Sequence, residues 1–103
     1  MNYIVLTPAK QELINAIDFY NEKSPHSGYK LLIDFEEAVE RIIQNPEAWQ
    51  PLTKNTRRCL LSKYPYGIIY QIRNQRIYIV VFMNMKRKPD YWKKMIKKRG
   101  LEE

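Results

Sequence analysis

Arginine, lysine and tyrosine are the residue types in this chain whose number and placement could support chemistry. The chain has a single histidine, His26, and a single cysteine, Cys59, and neither has a catalytic partner nearby in the sequence. We therefore expect His26 to be a loop residue without a catalytic role and Cys59 to lie in the core. Zinc-ligand spacings and glycine-rich phosphate loops do not occur, so neither a metal nor a cofactor is expected.

Catalysis by these three residue types is restricted by their pKa values. Each has an ordinary pKa of about 10 or above, so a general base at neutral pH would need a strong depression from its surroundings. As stabilisers of negative charge on a phosphate undergoing transfer, arginine and lysine need no such change. A ribonuclease without metal or histidine is therefore feasible, although the sequence does not require one.

Charge is divided between the two halves of the chain. Residues 1–50 hold 4 Lys/Arg and 8 Asp/Glu, whereas residues 51–103 hold 14 Lys/Arg and 3 Asp/Glu. The basic half also contains the predicted strands, interleaved with tyrosine, tryptophan and phenylalanine. This pattern predicts a cationic, aromatic surface that faces an anionic partner.

Length and composition limit the class of protein. The 103 residues predict one domain, 1–103, with a single core. No apolar run approaches the roughly 18 residues of a membrane span, and the N-terminus does not resemble a signal peptide. A single cysteine is typical of a reducing compartment, so we expect a cytoplasmic protein.

Two amphipathic helices are predicted in the first half, after a short strand at residues 3–6. Thr7-Pro8 is a helix start, and apolar residues recur at helical spacing from Ala9 to Tyr20. A second stripe runs from Leu31 to Ile42, and Asn45-Pro46 ends it. The carboxylates of this second helix are assigned to its outer face: Asp34, Glu36, Glu37 and Glu40. A short loop between the helices predicts an antiparallel helix hairpin.

The second half predicts three strands and a last helix. The strands are placed at residues 58–62, 68–73 and 76–85, and Asn74-Gln75 is predicted to be a two-residue hairpin loop. Lys88-Pro89-Asp90 opens the last helix, and Gly100 is a plausible cap. The fold class is therefore α+β in the order β-α-α-β-β-β-α. The helix hairpin is expected to pack on one face of a small antiparallel sheet, with a short C-terminal helix.

Counting back from the hairpin loop assigns side chains to the two faces of the sheet. The face under the helix hairpin is predicted to carry Ile68, Tyr70, Ile72, Ile77, Ile79, Val81 and Met83. The other face is predicted to carry Gln71, Arg73, Arg76, Tyr78, Val80, Phe82 and Asn84, with its apolar end under the last helix and its arginine end in water. Arg73 and Arg76 are either solvated turn residues or part of a site for phosphate or carboxylate.

Two segments resemble motifs of the RelE/ParE toxin superfamily. Tyr64-Pro65-Tyr66-Gly67-Ile68-Ile69-Tyr70 is similar to its "fPy.i.Y" strand, and residues 83–92 are similar to its "aH..R.P..W" segment. Arg57-Arg58 is similar to a basic pair of the family. The frequent histidine of the second motif is Asn84 here, so a proton-transfer role at that position is not expected. The Pro-Asp-Tyr-Trp ending and the helix pair are more similar to the ParE branch.

This resemblance implies a toxin of a type II toxin–antitoxin module, of the kind often described as plasmid stabilisation proteins, with a cognate antitoxin as its partner. A ParE-like protein would inhibit DNA gyrase by binding, and a RelE-like protein would cut mRNA in the ribosome. A third alternative is a non-toxic basic module for protein or nucleic-acid binding. For a RelE-like activity the implied catalytic residues are Arg58, Arg87 and Tyr91. The residues expected to bind the target or its phosphates are Lys54, Arg57, Arg58, Arg73, Arg76, Asn84 and Arg87.

Overall fold

The computed structural model describes residues 1–102 as three helices and five strands. In chain order these are β1 (Tyr3–Val5), α1 (Thr7–Lys23), α2 (Ser27–Gln44), β2 (Gln50–Pro51), β3 (Thr56–Leu60), β4 (Tyr66–Arg73), β5 (Arg76–Asn84) and α3 (Tyr91–Lys98). The predicted α+β class and order of elements are confirmed, with the two-residue strand β2 in addition. None of these helices has the length and apolar content needed to span a membrane.

The five strands form one mixed sheet in the order β1-β5-β4-β3-β2. The neighbours from β5 to β2 are antiparallel, but β1 runs parallel to β5, with Tyr3 opposite Ile77. The sheet is therefore not purely antiparallel as predicted. The hydrophobic pattern of a three-residue edge strand carries no information about its direction, and the helix hairpin that follows β1 supplies a crossover long enough for a parallel pair.

The predicted β4–β5 hairpin is confirmed at its turn. Asn74 and Gln75 both have positive φ, 49° and 63°, which is the backbone of a type I′ turn. Arg73 pairs with Arg76, and the predicted register holds from there to the pair of Tyr70 with Ile79. The two-residue loop thus sets the register at this end of the sheet.

A β-bulge changes the register farther along the same hairpin. Ile69 pairs with Val81 while Tyr70 pairs with Ile79, so Val80 is an extra residue in β5. The prediction that Val81 and Met83 lie under the helix hairpin is therefore wrong, because both pack in the core on the opposite face. Phe82 moves the other way and joins the core under the helix hairpin.

Two hydrophobic cores lie on the two faces of the sheet. The first joins α1 and α2 to the sheet and includes Leu13, Leu31, Phe35, Cys59, Ile68, Tyr70 and Phe82. The second lies under α3 and consists of Ile69, Val80, Val81, Met83 and Ile96. Trp92 and Leu101 are partly buried against this second core. The burial of Cys59 and the placement of the last helix over apolar residues of β5 agree with the sequence prediction.

The prediction that Asp34 lies on the outer face of its helix is wrong. Its side chain is only 1% exposed, and its carboxylate accepts hydrogen bonds from the backbone N–H groups of Ser62, Lys63 and Tyr64 at 3.2, 2.8 and 3.0 Å. These three donors lie in the segment between β3 and β4. Asp34 therefore joins α2 to the β3–β4 connection.

The last helix ends in a capped turn that attaches Leu101 to the sheet. Gly100 has φ +69°, and the N–H of Leu101 donates to the carbonyl of Ile96 while that of Gly100 donates to Lys97. This is the Schellman pattern, which favours glycine at the left-handed position and confirms the predicted cap. The carbonyl of Leu101 in turn accepts hydrogen bonds from Gln71 and Arg73.

Replacing Gly28 with alanine is expected to destabilise the protein by about 2 kcal/mol, because a methyl group would overpack the helix hairpin. A Cβ at this position would lie 2.5 Å from the carbonyl oxygen of Ile17, which is backbone and cannot rotate away. Urea unfolding measures the effect. Gly100→Ala is the comparison, because Gly100 is exposed with nothing within 4 Å of a Cβ but has a positive φ. Gly100→Ala therefore reports backbone strain alone, whereas Gly28→Ala reports the steric cost. A Gly28→Ala variant as stable as the wild type would show that α1 and α2 can move apart enough to accept the methyl group.

Candidate functional site: a cleft at the open edge of β5

The site begins where the pairing of β1 with β5 ends. The last backbone hydrogen bond on that side runs from the N–H of Leu6 to the carbonyl of Ile79, at 3.0 Å. Beyond it, side chains take the place of a neighbouring strand. Arg99 donates to the carbonyl of Val80 at 2.7 Å, and Glu12 accepts from the N–H of Phe82 at 3.2 Å. Exposed strand edges promote unwanted pairing, and these two side chains cover this one.

Glu12 also joins the two helices that flank this edge. Its Oε1 accepts from Arg99 Nη1 at 3.0 Å, and its Oε2 accepts from the Tyr91 hydroxyl at 2.6 Å. The side chains of Arg99 and Glu12 are 14% and 17% exposed, so the ion pair is largely removed from water. We call Glu12, Tyr91 and Arg99 the Glu12 cluster. It connects α1, β5 and α3 at a single carboxylate.

Tyr91 is held in its protonated form. Burial raises the pKa of its hydroxyl, and the hydrogen bond and negative charge of Glu12 raise it further, while Arg87 and Arg99 act in the opposite direction. The Arg87 guanidinium lies over the ring, 4.5 Å from its centroid. A tyrosine with a raised pKa that donates to a carboxylate is poorly suited to act as a general base at neutral pH.

Removing the Tyr91 hydroxyl is expected to cost about 1.5 kcal/mol of stability, because the bond it makes has a charged acceptor. The folded-state pKa lies above the unfolded value, so this contribution is complete below about pH 10 and is lost as the pH rises through the folded pKa. The difference in urea midpoint between the wild type and Tyr91→Phe should thus be constant near pH 7–9 and shrink above pH 10. A difference that grows with pH would contradict the assignment.

A cleft of about 620 Å³ opens beside the Glu12 cluster. Tyr66 and Phe82 line it with rings stacked at 4.8 Å between centroids, and Phe19, which is 49% exposed, also lines it. Lys86 and Arg87 add two exposed cations. Aromatic residues together with cations suit the binding of a protein segment that carries both apolar and acidic side chains.

Asn84 lies in this cleft, and its predicted orientation is wrong. The alternation of β5 predicts that Asn84 faces away from the helix hairpin. The bulge at Val80 instead turns Asn84 towards α1, so that it lines the cleft together with Phe19. Its side-chain oxygen accepts a hydrogen bond from the N–H of Lys86 at 2.8 Å. Asn84 therefore shapes the turn that carries Arg87.

The predicted site residues lie at four places in the structure. Asn84, Arg87 and Tyr91 come together in the cleft. Arg57 and Arg58 lie on β3, where Arg57 donates to the carbonyl of Trp49 at 2.8 Å and Arg58 donates to Gln50 at 2.7 Å. Lys54 lies in the loop before β3. At the β4–β5 turn, Arg76 is exposed and its neighbour Arg73 donates to the carbonyl of Leu101 at 3.0 Å.

Sequence reasoning did not assign Glu12 or Arg99 to a site. Glu12 is 79 residues from Tyr91 and 87 from Arg99, so no local motif connects them. One signal was present, since Glu12 lies beside the apolar stripe of α1, three residues after Ala9 and four before Ala16. A carboxylate at the border of a buried stripe is a candidate for a buried partner.

Comparison with known proteins identifies the family. The model of the ParE toxin of type II toxin–antitoxin systems, parDE, matches residues 3–89, which extends from β1 to the turn before α3. A solved structure described as the chromosomal ParDE TA system from P. aeruginosa is similar in fold, with a TM-score of 0.73 and 19% sequence identity over 84% of this chain and 97% of that chain. No curated protein sequence matches. The predicted superfamily and branch are thus confirmed, and the chain belongs to the ParE toxin family of type II toxin–antitoxin systems.

Proposed function

We propose that this protein is the toxin of a type II toxin–antitoxin module, that it inhibits DNA gyrase in the cytoplasm by binding, and that a cognate antitoxin neutralises it. The observation that carries the proposal is the match to the ParE toxin family over residues 3–89. The mixture of aromatic residues and cations in the cleft supports a role in holding another protein. No cofactor enters this proposal.

The chemistry of the cleft favours binding over RNA cleavage. Of the three residues that a RelE-like ribonuclease would use, Tyr91 keeps its proton and donates a hydrogen bond to Glu12. Arg58 lies on β3 and is not among the residues that line the cleft. Glu12 itself is engaged with Arg99, so it does not supply a free general base.

For the target-binding surface we propose the cleft and its exposed cations. Arg87 is exposed and stacks on Tyr91, which holds its charge in a defined position. Asn84 orders the turn before it. Arg57, Arg58 and Arg73 each donate to an acceptor of their own chain, so we assign them chiefly to holding the sheet and its connections together. Lys54 and Arg76 lie outside the cleft.

Induced expression in bacteria tests the proposed function. Growth should stop, and co-expression of the product of the adjoining short reading frame, as candidate antitoxin, should restore it. A DNA-damage reporter should respond before incorporation of labelled methionine falls. An early fall in translation, with mRNA cut at defined positions in primer extension, would favour the RelE-like alternative instead. Normal growth at high expression would favour the non-toxic module.

A charge-reversal pair locates the surface in the same experiment. Arg87→Glu should remove growth arrest, because it places a like charge where the proposed partner segment is acidic. Arg76→Glu changes the net charge equally at an exposed position on the β4–β5 turn, outside the cleft, and should remain toxic. Equal toxicity of the two variants, at equal protein levels, would place the target-binding surface elsewhere.

A further inference from the structure

A second concave surface lies on the other side of the sheet, under α3. It is a groove of about 970 Å³ between α3 and residues 53–56, and among residues 1–102 it shares no lining residue with the cleft. Trp92 and Ile96 line it from α3, and Gln71 lines it from β4. Its volume lies in the range of ligand sites, about 300–1,000 Å³. The family match ends at residue 89, before α3 begins.

Lysines make this groove cationic. Lys54 lines it from the loop, and Lys93, Lys94 and Lys97 line it from α3, against the two carboxylates of Asp90 and Glu102. Within residues 1–102, the ion pairs are Lys94 with Asp90 and Arg99 with Glu12, so Lys54, Lys93 and Lys97 have no carboxylate partner there. The Lys94–Asp90 pair is more than half exposed and contributes little. The groove therefore favours a ligand with more than one negative charge.

Gln71 adds a requirement that a simple anion does not meet. Its side chain is 0% exposed, and its Nε2 donates to Thr56 Oγ1 at 3.1 Å and to the carbonyl of Leu101 at 2.9 Å. Among residues 1–102, no donor makes a hydrogen bond to its buried Oε1. A buried acceptor without a partner is unfavourable, and a hydrogen bond from a ligand N–H would remove that cost. Phosphate oxygens offer only acceptors, whereas a ligand that carries an N–H group as well as negative charge would also satisfy Gln71.

Trp92 supplies a flat aromatic surface in the same groove. Its side chain packs against the second core and is only partly buried. A nucleic-acid base of any type can stack on an aromatic side chain, because every base has a flat π face. A base also carries N–H groups that can donate to Gln71 Oε1. The backbone of the nucleic acid carries phosphates, which the lysines attract.

We propose that this groove binds a segment of single-stranded nucleic acid. The phosphates lie along Lys54, Lys93 and Lys97, a base stacks on Trp92, and an N–H of a base donates to Gln71 Oε1. A duplex does not fit this arrangement, because its bases are already stacked and their edges are paired. The inference goes beyond gyrase inhibition and is independent of it. Its failure would leave the proposed toxin function in place.

Tryptophan fluorescence of the full chain gives the test. The chain has two tryptophans, and Trp49 lies away from the groove with its indole N–H donating to the carbonyl of Arg41 at 3.3 Å. A Trp49→Phe variant makes Trp92 the single reporter. Titration with a mixed-sequence single-stranded 12-mer should quench it saturably. The binding constant should fall as salt rises, with a log–log slope of about −2 for three phosphate contacts.

Two double variants with the same change in net charge are the matched control. Lys93→Gln/Lys97→Gln removes lysines that line the groove and should weaken binding at least tenfold. Lys88→Gln/Lys98→Gln removes exposed lysines that do not line it and should change affinity less than threefold. Equal losses in both would overturn the proposal, since they would show a diffuse charge effect.

Three further outcomes would also overturn it. They are an absence of quenching by the single strand, equal quenching by a duplex of the same length, and equal quenching by a poly-glutamate peptide. The last result would assign the groove to an acidic protein segment. Circular dichroism of each variant confirms that it is folded before affinities are compared.

Discussion

Replacing Glu12 with alanine is expected to destabilise the protein by about 3 kcal/mol, near the lower end for breaking a buried ion pair. The substitution leaves Arg99, whose side chain is 14% exposed, without its carboxylate. It also removes the acceptor for the Tyr91 hydroxyl and for the N–H of Phe82 in β5. Urea unfolding at neutral pH measures the change in the free energy of unfolding.

A matched control and a double variant separate the buried charge from the loss of packing. Glu22→Ala, on the exposed face of the same helix, should change stability by less than about 0.5 kcal/mol. Arg99→Ala combined with Glu12→Ala should cost less than the sum of the two single changes, because the double variant leaves no unpaired buried charge. A Glu12→Ala variant as stable as Glu22→Ala would show that the cluster does not hold α3 in place.

Replacing Asp34 with alanine is the second large effect, expected at about 3 kcal/mol, because three N–H groups lose an acceptor that is charged. The carboxylate is 1% exposed and receives all three bonds from the β3–β4 connection. Asp34→Asn should be intermediate, at about 2 kcal/mol, since its amide keeps one acceptor oxygen. The measurement is again urea unfolding.

The control for Asp34 is Glu37→Ala, on the exposed side of the same helix. Its effect should be within about 0.5 kcal/mol of zero. Hydrogen exchange adds a local readout, since the amides of Lys63 and Tyr64 should lose protection in Asp34→Ala. If these amides exchange at the wild-type rate, the carboxylate does not organise the connection.

Local sequence signals were sufficient where the interaction is local. The two-residue loop Asn74-Gln75 determined the turn type and the pairing of Arg73 with Arg76, because a tight turn leaves one register. Gly100 was predicted as a cap for a similar reason, since only the last turn of α3 is involved. The acidic and basic halves of the sequence also correspond to different parts of the fold. The acidic half is β1 and the helix hairpin, and the basic half is most of the sheet with α3.

Sequence patterns gave wrong predictions where the type of a residue did not match its position in the fold. Asp34 lies at helical spacing between Leu31 and Ala38, on the buried stripe, but its charge suggested the outer face. Val80 is as apolar as its neighbours, so the alternation of β5 gave no sign of an extra residue. The cleft depends on that bulge and on Glu12, which is distant in sequence from Tyr91 and Arg99. Most of the fold was therefore predictable, but the candidate site was only partly so.

Supercoiling of relaxed plasmid by purified DNA gyrase is the direct test of gyrase as the target of this toxin. The purified protein should inhibit supercoiling in a concentration-dependent way, Arg87→Glu should inhibit at least tenfold less, and Arg76→Glu should inhibit like the wild type. Prior addition of the antitoxin should restore supercoiling. Complete supercoiling at a large molar excess of a preparation that arrests growth when expressed would contradict gyrase as the target.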